Sequence, residues 1–125
     1  MEDSLQSLEL AEKYDNIFAS AGIHPHDSVN AHPDYLDQIK QFMQSSKMVA
    51  IGEMGLDYYR NISTPDKQRL VFREQMQLAQ ELKKPVIFHN RDADKDVIKV
   101  LSEFPNVIGV AHCFSSTLSI AKTLI

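Results

Sequence analysis

Short apolar runs alternate with longer amphipathic segments along the whole chain. Four runs are mostly apolar and do not alternate with polar residues, and they are Asn16–Ala21, Met48–Ile51, Pro85–Phe88 and Val107–Ala111. Strands that are buried on both faces, as in a parallel sheet, have this pattern. We therefore predict four buried strands at these positions.

The segments between the runs place apolar residues at helical spacing. They predict helices around Leu5–Ala11 and over Asp34–Ser45, Asp66–Lys84, Asp94–Phe104 and Thr117–Ile125. Thr64 and Pro65 mark the start of the long third helix, because threonine suits the N-cap and proline at the first helical position loses no needed hydrogen bond.

The spacing of the strands favours an α/β fold with a parallel sheet. Counted from Ile17, Val49, Val86 and Val107, the steps between strands are 32, 37 and 21 residues. A βαβ unit takes about 30 residues, and such units have right-handed crossovers. An open doubly wound sheet and a barrel both satisfy this alternation, so periodicity leaves the two architectures open.

Length and composition limit the possible classes. The chain has 125 residues, 43% of them hydrophobic, with one cysteine and a formal net charge of −4. One domain fits this length, whereas a complete (β/α)8 barrel takes about 250 residues. No apolar run approaches a membrane span and the first residues do not resemble a secretory signal, so we expect a cytoplasmic protein. The negative charge argues against a protein that wraps duplex nucleic acid by phosphate neutralisation.

Each predicted strand is followed by a histidine or a glutamate. The segments after the strands are Gly22–Asp27, Gly52–Asp57, His89–Asp92 and His112–Ser115. The carboxyl ends of parallel strands converge on the ligand site of α/β folds. The sequence therefore predicts that these side chains meet at one end of the sheet.

Glu53, His89 and His112 are the candidate metal ligands in these segments. Taken singly, a glutamate after a strand is more often a surface or capping residue than a site residue. A single histidine is as often a hydrogen-bonded core residue as a site residue. Together they end three successive strands, at intervals of 36 and 23 residues. Imidazole and carboxylate groups suit zinc or manganese, and the intervals are too long for a zinc finger.

Charged residues in the same segments have two interpretations. Asp57 or Asp92 could orient a ligating histidine from the second layer of the site, and Arg91 could bind a phosphate through two parallel hydrogen bonds. The alternative for Arg91 and Asp92 is a local salt bridge with a charge at a helix N-terminus. His24 and His26 flank a proline and could be solvated, and His32 is interpreted as structural.

Several segments resemble the TatD family of metal-dependent deoxyribonucleases. They are AGIHPHD (Ala21–Asp27), AIGEMGLDYYR (Ala50–Arg60), STPDKQRLVFREQMQLAQELKKP (Ser63–Pro85), PVIFHNRDADKD (Pro85–Asp96) and AHCFSS (Ala111–Ser116). The resemblance covers nearly the whole chain in order. The second and fourth segments together carry most of its specificity.

The resemblance implies a TIM-type (β/α)8 barrel with a metal centre, usually binuclear, at the C-terminal ends of its strands. It implies that Glu53 contacts both metals and that His89 and His112 ligate one of them. The family's first-strand HxH pair and eighth-strand aspartate have no counterpart here. We therefore expect residues 1–125 to form a single partial barrel domain, corresponding to family strands three to six and lacking the N-terminal and C-terminal parts.

The function implied is metal-dependent hydrolysis of phosphodiester bonds in nucleic acid, with DNA as the expected substrate and Mg, Mn or Zn as the cofactor. His24 and Arg91 would then bind the substrate. The alternative is a catalytically inactive remnant or an interaction fragment. Half a barrel leaves two open strand edges, so we expect self-association or pairing with a complementary half. An amidohydrolase-like barrel is a further alternative, which the sequence around Glu53 disfavours.

Overall fold

Helices and strands alternate along the computed structural model, which describes residues 1–125. The elements are α1 (Glu2–Lys13), β1 (Ala19–Ala21), a 3₁₀ helix (Pro25–Asn30), α2 (Tyr35–Phe42), β2 (Met48–Asp57), α3 (Pro65–Leu82), β3 (Val86–Arg91), α4 (Asp94–Ser102), β4 (Gly109–Ala111) and α5 (Leu118–Leu124). The predicted order of five helices and four strands is confirmed.

The four strands form one parallel sheet in the order β1-β2-β3-β4. Each strand therefore lies beside its neighbour in the chain. A doubly wound sheet reverses its strand order at a switch point, whereas successive strands of a (β/α) barrel are always adjacent. The topology resolves the ambiguity left by the periodicity, and the fold is a four-stranded sector of a barrel with flanking helices.

Strand β2 is much longer than predicted, because it continues from Ile51 to Asp57. Glycine and acidic residues are poor strand formers, and for this reason the pattern of Gly52–Asp57 did not predict a strand. The glycines let β2 approach β3 closely. A Cβ atom on Gly55 would lie 2.1 Å from the carbonyl oxygen of His89, and the φ angle of Gly55 is +124°. Glycine tolerates both conditions.

The remaining boundaries also differ from the predicted ones. β3 continues to Arg91, while β1 and β4 contain only three residues each. The two short strands lie at the edges of the sheet, where hydrogen bonds to a neighbour form on one side only. Helices α2 and α4 end three and two residues earlier than predicted. Helix α3 ends at Leu82 because Lys83 adopts the left-handed conformation that often terminates helices.

The core lies between the sheet and the helices. Val71, Phe72 and Met76 of α3 are buried against the apolar side chains of β2, including Ile51 and Leu56. The predicted start of α3 is confirmed, because the Thr64 side chain accepts a hydrogen bond from the Lys67 N–H at 3.4 Å and Pro65 is the first helical residue. No helix combines the length and apolar character that crossing a membrane requires.

Candidate metal centre

Three side chains that can ligate a metal converge at the C-terminal end of the sheet. His24 follows β1, Glu53 lies within β2 and His89 lies within β3. One potential ligand atom of each lies within 4.8 Å of those of the other two. The prediction that Glu53 and His89 follow their strands is wrong, because both strands continue past them. The expected convergence of the strand ends is nonetheless observed.

The distance between Glu53 and His89 suits a shared cation. Nδ1 of His89 lies 3.5 Å from Oε1 of Glu53. Neighbouring ligands of a tetrahedral ion with bonds of about 2.1 Å lie roughly 3.4 Å apart. The other ring nitrogen of His89 is bonded to a carboxylate. Nδ1 is therefore the nitrogen of His89 that faces Oε1 of Glu53, and a cation between these two atoms could bind both.

Asp57 binds two histidines through one carboxylate oxygen. Its Oδ2 lies 2.9 Å from Nε2 of His89 and 2.9 Å from Nε2 of His26. Its other oxygen accepts a hydrogen bond from the Arg60 N–H at 2.8 Å. A carboxylate that bonds the second ring nitrogen of a ligating histidine fixes the ring and raises its basicity. Asp57 therefore occupies the orienting position predicted for one of the acidic residues.

The environment keeps Asp57 ionised. Its side chain is 1% exposed, and burial alone would raise the pKa of the carboxyl group. The hydrogen bonds from the Arg60 N–H and from the two histidines outweigh burial and lower the pKa to about 2. An anion at this position accepts both imidazole N–H groups and holds both rings in place.

The surroundings of His24 favour its neutral form. Burial lowers the pKa of His24, and the neighbouring rings of His26 and His89 lower it further. The centroid of the His24 ring lies 4.4 Å from that of His26 and 5.0 Å from that of His89. A neutral imidazole has the lone pair that metal binding requires. His24, predicted as a substrate-binding residue, also places a potential ligand atom within 4.8 Å of those of Glu53 and His89.

His26 belongs to the site, although the sequence allowed it to be a solvated loop residue. Its ring bonds to Asp57 on β2, and its backbone N–H donates to Nδ1 of His24 at 3.2 Å. The 3₁₀ helix after β1 is held in turn by Ser63, whose hydroxyl donates to the His26 carbonyl at 2.9 Å. The His-Pro-His motif was the only sequence signal for His26. The fold shows that the Asp57 carboxylate lies between His26 and His89.

Two buried glutamines of α3 hold the strand ends that carry the site. Gln68 accepts from the Asp57 N–H at 2.8 Å and donates to the carbonyls of Asp57 and Ser63 at 3.0 and 2.7 Å. Gln75 accepts from the Ile23 N–H at 2.7 Å and donates to the Ile23 carbonyl at 3.1 Å. Both glutamines are fully buried. Neither glutamine was predicted as a site residue, since their only signal in the sequence is a pair of polar residues seven positions apart on an apolar helix face.

His112, the third predicted ligand, is not part of the group formed by His24, Glu53 and His89. Its backbone N–H donates to the Phe88 carbonyl at 2.9 Å, so its main chain lies beside β3 near His89. Its side chain is exposed, and Nε2 lies 3.2 Å from Sγ of Cys113. The backbone of His112 thus reaches the site while its ring is turned toward its neighbour.

Arg91 and Asp92 do not form the local salt bridge that was one interpretation. Arg91 is the last residue of β3, and its guanidinium carbon lies 4.0 Å from the centroid of the Tyr59 ring. No carboxylate lies within ion-pair distance of it. His32, interpreted as structural, bonds through its ring to the Asp34 carboxylate.

Comparison with known proteins gives one consistent family. The family model described as TatD related DNase matches residues 1–125. A Bacillus subtilis protein named uncharacterized metal-dependent hydrolase YabD is 43% identical over 119 residues, which cover 94% of this chain and 47% of that protein. A Salmonella typhimurium protein named 3′-5′ ssDNA/RNA exonuclease TatD is 38% identical over 117 residues, covering 92% of this chain and 45% of that protein.

A solved structure shares the same architecture. The crystal structure of YjjV, a TatD homologue from Escherichia coli, matches with a TM-score of 0.89 and 31% identity, covering 98% of this chain and 49% of that one. The chain therefore spans about half the length of the relatives that it matches.

Proposed function

Because the chain belongs to the TatD related DNase family, we propose that it builds part of a divalent-metal centre that hydrolyses phosphodiester bonds in nucleic acid. The main support is the group of His24, Glu53 and His89, whose ligand atoms lie within 4.8 Å of one another. Two imidazoles and one carboxylate form a ligand set found in catalytic zinc sites, where a further position stays open for water or substrate.

The proposed ligands are Glu53, His89 and His112, with Mg, Mn or Zn as the ion. For Glu53 and His89 the family resemblance and the geometry agree. For His112 the support is the family resemblance and the position of its backbone beside β3, from which a rotation of the ring away from Cys113 would turn it toward the site. His24 lies close enough to serve as a ligand or to contact a substrate held at the ion.

The ion would supply Lewis acidity and would lower the pKa of a water molecule that it binds. The chain's own residues prepare the site for this chemistry. Asp57 fixes the ring of His89 through the hydrogen bond at 2.9 Å. Arg91 offers guanidinium donors to a phosphate, which a planar fork binds through two parallel bonds. Burial lowers the pKa of His24, which leaves the lone pair of its imidazole available to a metal.

Single-stranded DNA is the substrate that we propose. The Salmonella relative is named an exonuclease for single-stranded DNA and RNA, and that name supports the substrate class. Since the chain spans about half of that relative, the activity of the whole relative is a proposal for this chain.

The exposed apolar residues of the sheet and the segments next to it favour a second candidate, an interaction fragment. Ile108, just before β4, is 76% exposed, and Val110, within β4, is 61% exposed. Phe18, just before β1, is 58% exposed. Open edges and exposed apolar side chains favour association. We propose that residues 1–125 act as one partial domain that pairs with a second copy or a complementary half.

A cleavage assay tests the nuclease proposal. The chain is incubated with labelled single-stranded DNA and Mg²⁺, Mn²⁺ or Zn²⁺, and ion binding is followed in parallel by calorimetry. We expect Glu53→Gln to abolish metal-dependent cleavage and to weaken ion binding. Glu9→Gln on the exposed face of α1 is the matched control and should change neither. Cleavage that survives Glu53→Gln unchanged would reject this site.

Light scattering after size exclusion tests the interaction proposal. We expect a dimer or larger species, and Val110→Glu on β4 should shift the distribution toward the monomer. A wild-type chain that is monomeric and unfolds cooperatively would reject self-association.

A further inference from the structure

Tyr59 carries one covered face and one open face beside the candidate metal centre. It lies two residues beyond the end of β2 and is 60% exposed. The Arg91 guanidinium lies over its ring at 4.0 Å. We propose that Tyr59 is a stacking platform for one unpaired base of a single-stranded nucleic acid, and that Arg91 and Arg60 bind the adjacent phosphates. This inference rests on the proposed function and assigns a subsite to it.

The strand register places this platform next to the metal-binding group. Asp57 of β2 pairs with Arg91 of β3, and the Tyr58 N–H donates to the Arg91 carbonyl at 2.9 Å. Arg91 lies two residues beyond His89 on the same strand, and alternate residues of a strand point to the same face. Two residues span about 6.6 Å along a strand. A nucleotide on Tyr59 would therefore be an immediate neighbour of one whose phosphate lies at His89.

Two of the four arginines of the chain form ion pairs with carboxylates, whereas Arg60 and Arg91 do not. Arg69 of α3 bonds to the carboxylates of Asp66 and Asp96, and Arg73 of α3 bonds to Glu103 at 2.8 Å. Those arginines already have anionic partners.

Arg60 and Arg91 have none, since no carboxylate lies within 4.0 Å of either guanidinium. Both are exposed. The Arg91 guanidinium lies over the Tyr59 ring, and Arg60 is the residue that follows Tyr59 in the chain. In a chain with a formal net charge of −4, two unpaired arginines beside one exposed aromatic ring form a local site for an anionic, aromatic ligand.

An unpaired base fits the platform better than a duplex does. The bases of a duplex stack on one another, so an exposed protein ring finds a free base face only on a single strand or at a frayed end. Stacking of this kind tolerates any base, because every base has a π face. The phosphates supply the anionic partners that Arg60 and Arg91 lack within the chain. Because the chain as a whole is negatively charged, we expect it to bind only one or two nucleotides at this site.

Binding measured without cleavage tests this platform. Fluorescence anisotropy is recorded in EDTA with two labelled oligomers of about 8 nucleotides, one of thymidylate and one of abasic sugar-phosphate. We expect Tyr59→Ala to weaken binding of the thymidylate roughly 5- to 150-fold and to leave binding of the abasic oligomer unchanged. Tyr59→Phe should bind like the wild type. Arg91→Met should weaken binding of both oligomers and reduce the salt dependence by about 0.7 in log–log slope.

Tyr14→Ala is the matched control, because Tyr14 is 45% exposed and also has a cation, Lys13, over its ring. It should bind both oligomers like the wild type. Thymidylate binding that is unaffected by Tyr59→Ala, or equal losses for both oligomers, would overturn the platform while leaving the nuclease proposal intact. Tyr59-dependent binding without metal-dependent cleavage would instead support the platform and count against the nuclease chemistry. A wild-type chain that neither binds nor cleaves would overturn both.

Discussion

Replacing Gln75 with methionine tests how the buried face of α3 holds the site. Gln75 is fully buried and bonds to both the N–H and the carbonyl of Ile23, at 2.7 and 3.1 Å. Methionine has a similar length and fills the same space, but it leaves both backbone groups without a partner. Each buried polar group left unpaired costs about 1–3 kcal/mol. Allowing for partial relaxation, we expect a loss of about 2–4 kcal/mol in the free energy of unfolding.

Urea denaturation followed by circular dichroism measures this loss. Gln80→Met is the matched control, because Gln80 is an exposed residue of the same helix. It should change the free energy of unfolding by less than about 0.5 kcal/mol. Because Ile23 precedes His24, the Gln75→Met variant should also bind a divalent ion less tightly than the control does. A Gln75→Met variant as stable as Gln80→Met would refute the role assigned to these hydrogen bonds.

Two further outcomes follow from Asp57 and Gly55. Because the folded pKa of Asp57 is about 2, below the usual 3.8, its contribution to stability is complete above about pH 4 and is lost as the pH falls toward 2. The difference in free energy of unfolding between wild type and Asp57→Asn should therefore shrink by about 2 kcal/mol over that range in urea titrations, and a constant difference would contradict this. Gly55→Ala should destabilise by about 3 kcal/mol or more, since the added Cβ meets the His89 carbonyl at 2.1 Å. An unchanged thermal midpoint would show that β2 and β3 can separate there at little cost.

The sequence was sufficient to predict the alternation of elements and the end of the sheet at which the candidate metal ligands lie. Both follow from local information: apolar runs that suit buried strands, amphipathic spacing that suits helices, and a threonine–proline pair that starts α3. The convergence of Glu53 and His89 required only the rule that parallel strands end at one side of the sheet. Strand order, which separates a barrel sector from an open sheet, depends on pairing between distant residues and was not predictable from periodicity.

The details of the site depend on contacts that local patterns do not encode. The extension of β2 through Gly52–Asp57 depends on the close approach of the neighbouring strand's backbone. The low strand propensity of glycine and acidic residues predicts a loop there instead. The bonds from Asp57 to His26 and His89 span 31 and 32 residues. The position of His24 within ligand distance depends on the same tertiary contacts, and so does the orientation of the His112 ring toward Cys113.

The two buried glutamines also limit which changes in length α3 can tolerate. Gln68 and Gln75 are seven residues apart, so they lie about two turns apart on nearly the same side of the helix. Each additional residue between them would rotate one glutamine by about 100° relative to the other. Homologous chains should therefore vary freely at the exposed position Leu70 of this stretch, but should contain no insertion or deletion between the two glutamines. Across the family, the stretch from Gln68 to Gln75 should therefore be conserved in length even where the exposed residue at position 70 changes.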